Sequence, residues 1–162
     1  MEPAERAGER QFVIFRLSAE HYGLPIEKVR SIIRYEESTP VPRAPAFVEG
    51  VINLRGKVIP VVDLGSRLLG TTGERDSASR IIVAEGEAGT VGLSVDATLE
   101  VATIPAADIR PAPETALVAE TADAFEGVAD TNGRLIIILN LDKALPRSDY
   151  VGIAAQEGGL NV

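Results

Sequence analysis

Short apolar runs separated by turn residues dominate the pattern of hydrophobic and polar positions along the chain. FVIFRL at 12–17 and IIVA at 81–84 are rich in β-branched and aromatic residues, and each precedes a turn and a second short apolar run. This pattern predicts a mostly β protein. A short helical or irregular piece is predicted at 26–32, and apolar residues recur at spacings of three and four in residues 26–33. On a helix, Val29 and Ile33 would share one face.

The sequence contains the same hairpin twice. GVINLRGKVIPVVDL at 50–64 and GVADTNGRLIIILNL at 127–141 share five identical residues when aligned without gaps. The short apolar runs that precede the hairpins end at Leu24 and Leu93. The separation in sequence between these two runs is smaller than the separation between the two hairpins. The second copy is therefore eight residues longer than the first, and the excess falls in the interval 96–124. We infer an internal duplication.

Local turn and cap residues mark the ends of the two hairpins. Asn132-Gly133 is the strongest short-range signal for a two-residue β-hairpin turn. Asp63 and Asn140 end the hairpins and are predicted to cap short helices, with Gly70 closing the first helix.

Closing each copy into a small barrel would remove its exposed strand edges, and two such barrels could share an apolar seam. We therefore expect two pseudo-repeated barrels, each of about five short strands, around a shared core with short helices. The expected organisation is a mobile N-terminus at 1–11, a single domain at 12–146 and a C-terminal tail at 147–162. Within the domain we expect a first barrel at about 12–70, a linker at 71–79, a second barrel at about 80–141 and a short helix at 141–145.

Charge is spread unevenly along the chain, whose formal net charge is −8 at pH 7. Between residues 81 and 133 the only cation is Arg110, against ten carboxylates. An acidic surface repels phosphate backbones, so the sequence argues against nucleic acid as a partner. The unlike halves favour head-to-tail association, and a solvated acidic surface is the alternative interpretation.

Side chains that enzymes use near neutral pH are scarce. The chain has no cysteine and one histidine, His21, which lies in a predicted turn. Disulfides, thiolate chemistry and a Cys- or His-rich metal site are therefore excluded, and no nucleophile elbow or glycine-rich phosphate loop occurs. We expect a binding protein that is not an enzyme and carries no cofactor or metal. A charged N-terminus and the lack of long apolar runs predict a cytoplasmic location.

Two arginines lack a strong local explanation. Arg55 occupies a turn position that favours a positive φ, which asparagine tolerates better, so its guanidinium is a candidate for binding a partner's carboxylate or carbonyl groups. Arg110 lies in a proline-rich loop that suits display to a partner. The alternatives are an ordinary exposed turn residue and a neutral loop insertion. Val29 and Ile33 are either part of a core-facing stripe or the lining of a groove for a partner's helix.

Three stretches, FVIFRLSAEHYGLPIEKVRSI, TPVPRAPAFVEGVINLRGKVIPVVDL and GRLIIILNLDKAL, resemble the motifs of CheW-type chemotaxis coupling proteins. The similarity runs from about Phe12 to Leu145. It implies two five-stranded SH3-like β-barrels packed around a shared core. It also implies a non-catalytic adaptor between the cytoplasmic tips of methyl-accepting chemotaxis receptors and a CheA-type histidine kinase, which docks through its CheW-like regulatory domain. The chain would be recruited to receptor clusters, with possible self-association in rings and only indirect contact with the membrane.

The resemblance further implies roles for individual residues. Arg55, Val29 and Ile33 match receptor-binding positions of the family. Arg110 and Glu114 match positions that bind the kinase or form the ring contact.

Two departures from the family pattern leave alternatives open. Thr115 stands where the family often has an aromatic residue, and Ser31 stands where an acid is common. One alternative is a divergent CheW-like protein that binds only receptor or only kinase in a dedicated pathway. An alternative of another class is a double β-barrel that binds a small ligand between its halves.

Overall fold

The computed structural model describes residues 8–111 and 124–145, and these residues form eleven strands and two short α-helices. No helix in this part of the chain is long and apolar enough to cross a membrane. The prediction of a mostly β fold is confirmed. The strands are β1 (Glu9–Leu17), β2 (Glu20–Pro25), β3 (Val29–Arg34), β4 (Val48–Leu54), β5 (Lys57–Asp63), β6 (Arg80–Gly86), β7 (Gly89–Val95), β8 (Ala97–Pro105), β9 (Ile109–Arg110), β10 (Phe125–Thr131) and β11 (Arg134–Leu139). The helices are α1 (Leu64–Leu69) and α2 (Leu141–Ala144), and 3₁₀-helices cover Ile26–Lys28 and Ala106–Asp108.

The strands form two sheets, which we call the six-stranded and the five-stranded sheet. Their strand orders are β8-β1-β2-β11-β10-β9 and β3-β6-β7-β5-β4. Neighbouring strands are antiparallel, except that β2 pairs with β11 and β5 with β7 in parallel. The two sheets correspond to the two expected SH3-like units.

The two sequence repeats exchange their first two strands. The six-stranded sheet combines β1 and β2 of the first repeat with β8–β11 of the second, and the five-stranded sheet combines β6 and β7 of the second repeat with β3–β5 of the first. The expected boundaries at about 12–70 and 80–141 therefore do not separate the sheets. Each sheet is built from both repeats.

Strand β1 shows that an exchanged hairpin has apolar side chains on both faces, and both faces are buried. Phe12 and Ile14 pack inside the six-stranded sheet, in a cluster that includes Ile138. Val13 and Phe15, which point the other way, join a larger cluster with residues of the five-stranded sheet and of both helices. A strand that is apolar on both faces is stable only when both faces are buried. The larger cluster is the expected shared core.

The repeats correspond strand by strand. Strands β1–β3 are equivalent to β6–β8, and β4 and β5 are equivalent to β10 and β11. The parallel pairs agree, because Gly23 lies opposite Ile138 and Gly92 lies opposite Val61. The eight-residue excess therefore lies between the end of β8 and the start of β10, within the interval inferred from the sequence.

Two short helices follow the hairpins, as predicted. Asp63 Oδ1 accepts a hydrogen bond from the Ser66 backbone N–H at 3.1 Å, and Gly70 ends α1 in the left-handed conformation with φ of +76°. Asn140 Oδ1 accepts an equivalent hydrogen bond from the Lys143 N–H at 3.1 Å. Both predicted N-caps are confirmed.

The N-terminal boundary and residues 26–33 differ from the sequence-based expectation. Strand β1 begins at Glu9, so residues 9–11, which the sequence pattern places in a mobile N-terminus, pair with β8. The helical piece is limited to the 3₁₀-helix at Ile26–Lys28, and the β-branched residues after it adopt the extended conformation that they favour. A β-bulge after Val29 shifts the register, so Val29 packs against the shared core and Ile33 against a separate cluster inside the five-stranded sheet.

Candidate functional site

The β4–β5 turn holds Arg55 in a left-handed backbone conformation, with φ of +55° followed by +84° at Gly56. Asn53 supports this turn, because its Oδ1 accepts a hydrogen bond from the Gly56 N–H at 2.8 Å. The equivalent β10–β11 turn has nearly the same backbone, with φ of +54° at Asn132 and +80° at Gly133. Asparagine enters this region more readily than arginine. The first hairpin therefore carries the less favourable residue in the same turn.

The side chain of Arg55 is exposed, and it has no hydrogen-bond or ion-pair partner within residues 8–111 and 124–145. A free guanidinium presents five N–H donors in a planar fork that matches a carboxylate. Nothing inside the described structure thus offsets the backbone cost of arginine at this position. Backbone strain of this kind clusters at functional sites, which makes Arg55 a candidate binding residue.

A cleft of about 370 Å³, which we call the β4 cleft, opens beside the Arg55 turn. It forms between residues 36–39 and β4, which meet in a single bridge between Thr39 and Val51. Asn53 connects the cleft to the turn, because it lines the cleft and also accepts the hydrogen bond within the turn. The sequence gives no sign of this cleft, since its formation depends on how an irregular segment crosses a strand. Its lining residues are Glu36, Glu37, Thr39, Val51, Ile52, Asn53 and Val58.

Val29 and Ile33, the other residues matched to receptor binding, lie on β3 and are half-buried. Both pack against core clusters, and neither lines the β4 cleft. The exposed apolar residue of this strand is Ile32, whose exposed fraction is 40%. The structure therefore does not bring Val29 and Ile33 together with Arg55 in one cleft.

Arg110 lies in the other sheet, at the end of β9. Its side chain is exposed and has no partner within the described ranges, while its backbone pairs with Val128 of β10. Gly127 permits a close approach, because a Cβ there would lie 2.5 Å from the Arg110 carbonyl oxygen. Glu114, matched to the same contact, and Thr115 lie outside the described residues. Arg55 and Arg110 thus mark two candidate surfaces, one on each sheet.

A partly buried ion-pair network centres on Arg75, which lies in the predicted polar linker at 71–79. Arg75 Nη2 lies 2.6 Å from Glu49 Oε2, 2.9 Å from Ser94 Oγ and 3.2 Å from Asp63 Oδ2. Desolvation lowers the pKa of Arg75, but the charges of Glu49 and Asp63 outweigh it and raise this pKa above its ordinary value. Burial, followed by the hydrogen bond to Glu49, raises the pKa of Tyr35. No periodic pattern could have pointed to Arg75, because its partners are distant in sequence.

Comparisons with known proteins agree with this architecture. A family model described as "CheW-like domain" matches residues 11–149. Chemotaxis protein CheW of Rhizobium meliloti (strain 1021) is 39% identical over 142 residues, which cover 88% of this chain and 91% of that protein. Protein FrzA of Myxococcus xanthus is 33% identical over 153 residues, which cover 93% of this chain and 94% of that protein.

A solved structure shares the fold. The crystal structure of the scaffolding protein TtCheW from Thermoanaerobacter tengcongensis superposes with a TM-score of 0.79 at 35% identity, over 88% of this chain and 92% of that one. The family model, the relatives and the doubled, strand-exchanged sheets converge on one assignment, and the chain belongs to the CheW-like family.

Proposed function

We propose that the chain is a non-catalytic adaptor that couples the cytoplasmic tips of methyl-accepting chemotaxis receptors to a CheA-type histidine kinase. The proposal is supported by relatives that are named chemotaxis proteins and by a structural neighbour that is titled a scaffolding protein. The observation that carries it is Arg55, which occupies a costly left-handed position and has no partner in the described structure. The adaptor would work in the cytoplasm, at receptor clusters.

The receptor side of the proposal uses the Arg55 turn and the adjoining β4 cleft. Val51 and Ile52 contribute to the lining of this cleft but are themselves buried, and the exposed Glu36 and Glu37 give the cleft an acidic character. A partner helix could lie along this cleft, with its basic side chains facing Glu36 and Glu37, while one of its carboxylates reaches the free guanidinium of Arg55. The negative charges of the cleft and the positive charge of Arg55 on the adjoining turn would fix the direction in which the helix lies.

The kinase side of the proposal uses Arg110 on β9 together with Glu114. Arg110 lies in the other sheet from Arg55, so the two partners would not compete for one surface. The CheW-like regulatory domain of the kinase would meet this surface in a heterologous contact. A contact between two unlike faces can repeat around a closed ring, and a second copy of this chain could occupy the same position.

Separate binding assays test the proposal with two variants and one matched control. Arg55→Asn installs the residue of the equivalent turn, and we expect it to weaken receptor co-sedimentation at least about tenfold while kinase binding is unchanged. Arg110→Glu should show the opposite pattern. Asn132→Arg, which places a guanidinium on the other hairpin, should leave receptor binding unchanged.

Each outcome of these assays distinguishes the alternatives. Full receptor binding by Arg55→Asn would remove the main support for the receptor side. Binding of the unaltered chain to only one of the two partners would favour the divergent, single-partner protein. Binding to neither partner would contradict the adaptor role altogether.

A further inference from the structure

Each repeat places one glutamate in a β-bulge. The pairing of β4 with β5 skips Glu49, and the pairing of β10 with β11 skips Glu126, the corresponding residue of the second repeat. An extra residue in a bulge leaves the regular alternation of the strand, so its side chain is aimed differently from those of its neighbours. Both glutamates precede a glycine, Gly50 and Gly127. The two bulges are therefore equivalent features of the duplicated fold.

Each bulge glutamate binds an arginine that lies in an exchanged hairpin or in the segment leading into one. Glu49 pairs with Arg75, five residues before β6, and β6 reaches the five-stranded sheet from the second repeat. Glu126 pairs through both carboxylate oxygens with Arg10 of β1, which reaches the six-stranded sheet from the first repeat. Both ion pairs thus join an exchanged segment to the repeat that receives it.

The Arg75 pair is shielded from solvent. The exposed fractions of the Arg75 and Glu49 side chains are 18% and 15%. The Tyr35 ring covers the guanidinium, with its centroid 5.0 Å from Cζ, and the Tyr35 hydroxyl donates to Glu49 Oε1 at 2.8 Å. The carboxylates of Asp63 and Asp96 lie 3.2 and 3.7 Å from the same guanidinium and place further negative charge beside it. Salt in solution screens such a partly buried pair less than it screens an exposed one.

The Arg10 pair is open to solvent by comparison. The exposed fractions of the Arg10 and Glu126 side chains are 32% and 35%, and the Phe12 ring covers one side of the guanidinium, with its centroid 5.0 Å from Cζ. Exposed ion pairs contribute little to stability and weaken as salt is added. The two equivalent pairs therefore differ in how easily they open.

Behind each bulge, the glycine touches a segment that carries candidate docking residues. A Cβ at Gly50 would lie 2.2 Å from the Thr39 carbonyl oxygen, and a Cβ at Gly127 would lie 2.5 Å from the Arg110 carbonyl oxygen. Thr39 lines the β4 cleft, and Arg110 marks the surface of the other sheet. The position of each bulge consequently sets the position of one candidate surface.

We propose that Arg75 and Arg10 are positioning residues, and that each fixes one docking segment by clamping a bulge glutamate. Arg75 holds residues 36–39 through Glu49, and Arg10 holds residues 109–110 through Glu126. The first clamp is permanent, whereas the second opens with salt and loosens its surface without unfolding the protein. The inference rests on the proposed function for the identity of the partners, but both clamps can be measured in their absence.

Hydrogen–deuterium exchange on the full chain, without receptor or kinase, tests the clamps. Raising the salt from about 0.05 M to about 1 M should speed exchange in residues 9–11 and 109–110 several-fold and leave residues 36–39 unchanged. Arg10→Ala should produce the same pattern at low salt. Arg30→Ala breaks an exposed ion pair with Glu85 that touches neither bulge, and it should change neither segment.

The Arg75 clamp is tested by Arg75→Lys, which keeps the charge but loses the planar fork. We expect at least tenfold faster exchange at Thr39, whose N–H donates to the Val51 carbonyl oxygen at 2.8 Å, and no change in residues 109–110. If this variant does not fold, the salt series on the unaltered chain still decides the question. Equal responses of the two segments to salt, or unchanged exchange at 109–110 in Arg10→Ala, would overturn the inference.

Discussion

Replacing Arg55 with asparagine should make the protein more stable, even though the same change is expected to weaken receptor binding. The equivalent position in the second repeat is Asn132, whose φ is nearly the same as that of Arg55, +54° against +55°. The structure therefore supplies its own example of the residue that this turn prefers. The hydrogen bond from the Gly56 N–H to Asn53 does not involve the Arg55 side chain and should persist in the variant.

The expected gain follows from the backbone conformation. A left-handed conformation costs an ordinary L-residue roughly 1–2 kcal/mol, and asparagine visits it routinely. The Arg55 side chain is exposed and has no partner within the described ranges, so its removal should cost less than about 0.5 kcal/mol. The free energy of unfolding should therefore rise by about 0.5–1 kcal/mol, which corresponds to a few degrees in Tm for a chain of this size.

Urea unfolding followed by circular dichroism measures this change as a higher midpoint with an unchanged m-value. Asn132→Arg is the reciprocal control, and it should lower the midpoint by a similar amount because it places arginine in the same turn. A lower midpoint for Arg55→Asn, or no loss in Asn132→Arg, would show that the backbone conformation does not decide the preference. The explanation of Arg55 as a residue retained for binding would then fail.

Three further sets of changes test the fold. Gly50→Ala should destabilise the chain by about 3 kcal/mol or more in urea unfolding, because the new Cβ would lie 2.2 Å from the Thr39 carbonyl oxygen. Burial raises the pKa of Tyr22 from 10.0 to about 12, because the buried site favours the neutral side chain. The stability that results is fully present below pH 10, the pKa of tyrosine in the unfolded chain. About 3 kcal/mol should be lost as the pH rises from 10 to 12, and Tyr22→Phe should abolish that loss. Asn140→Ala should cost about 1 kcal/mol as a lost helix cap, and Asp63→Ala should cost more, because Asp63 also pairs with the linker arginine.

Features with local causes could be predicted from the sequence. The turn at Asn132-Gly133 and the caps at Asp63 and Asn140 depend on residues within a few positions of each other, and the structure contains all of them. The duplication was also visible, since it requires only a comparison of the chain with itself. The location of Arg55 at a hairpin tip followed directly from these signals.

Features that depend on distant pairing could not be predicted. Nothing within the β1–β2 hairpin states that Gly23 will lie opposite Ile138, near the other end of the chain. Apolar residues on both faces of β1 were a partial signal, because they require cover on both sides. In residues 26–33 the spacing of Val29 and Ile33 fits a helical face but does not exclude a strand. The partners of Arg75 include residues of three different strands, so only the folded chain brings them together.

Strand exchange bears directly on the proposed coupling role. If each repeat formed its own barrel, a flexible linker could let the two docking surfaces turn relative to each other. In the exchanged arrangement each sheet contains strands of both repeats, and residues of both sheets pack in one shared core that includes Leu24 and Leu93. Closely packed cores resist small displacements, so the sheets should keep a fixed relative orientation. An adaptor that holds a receptor and a kinase in a defined geometry needs such rigidity more than it needs internal motion. We therefore expect mobility to be confined to single segments of one sheet, such as the salt-sensitive contact of Arg10 with Glu126.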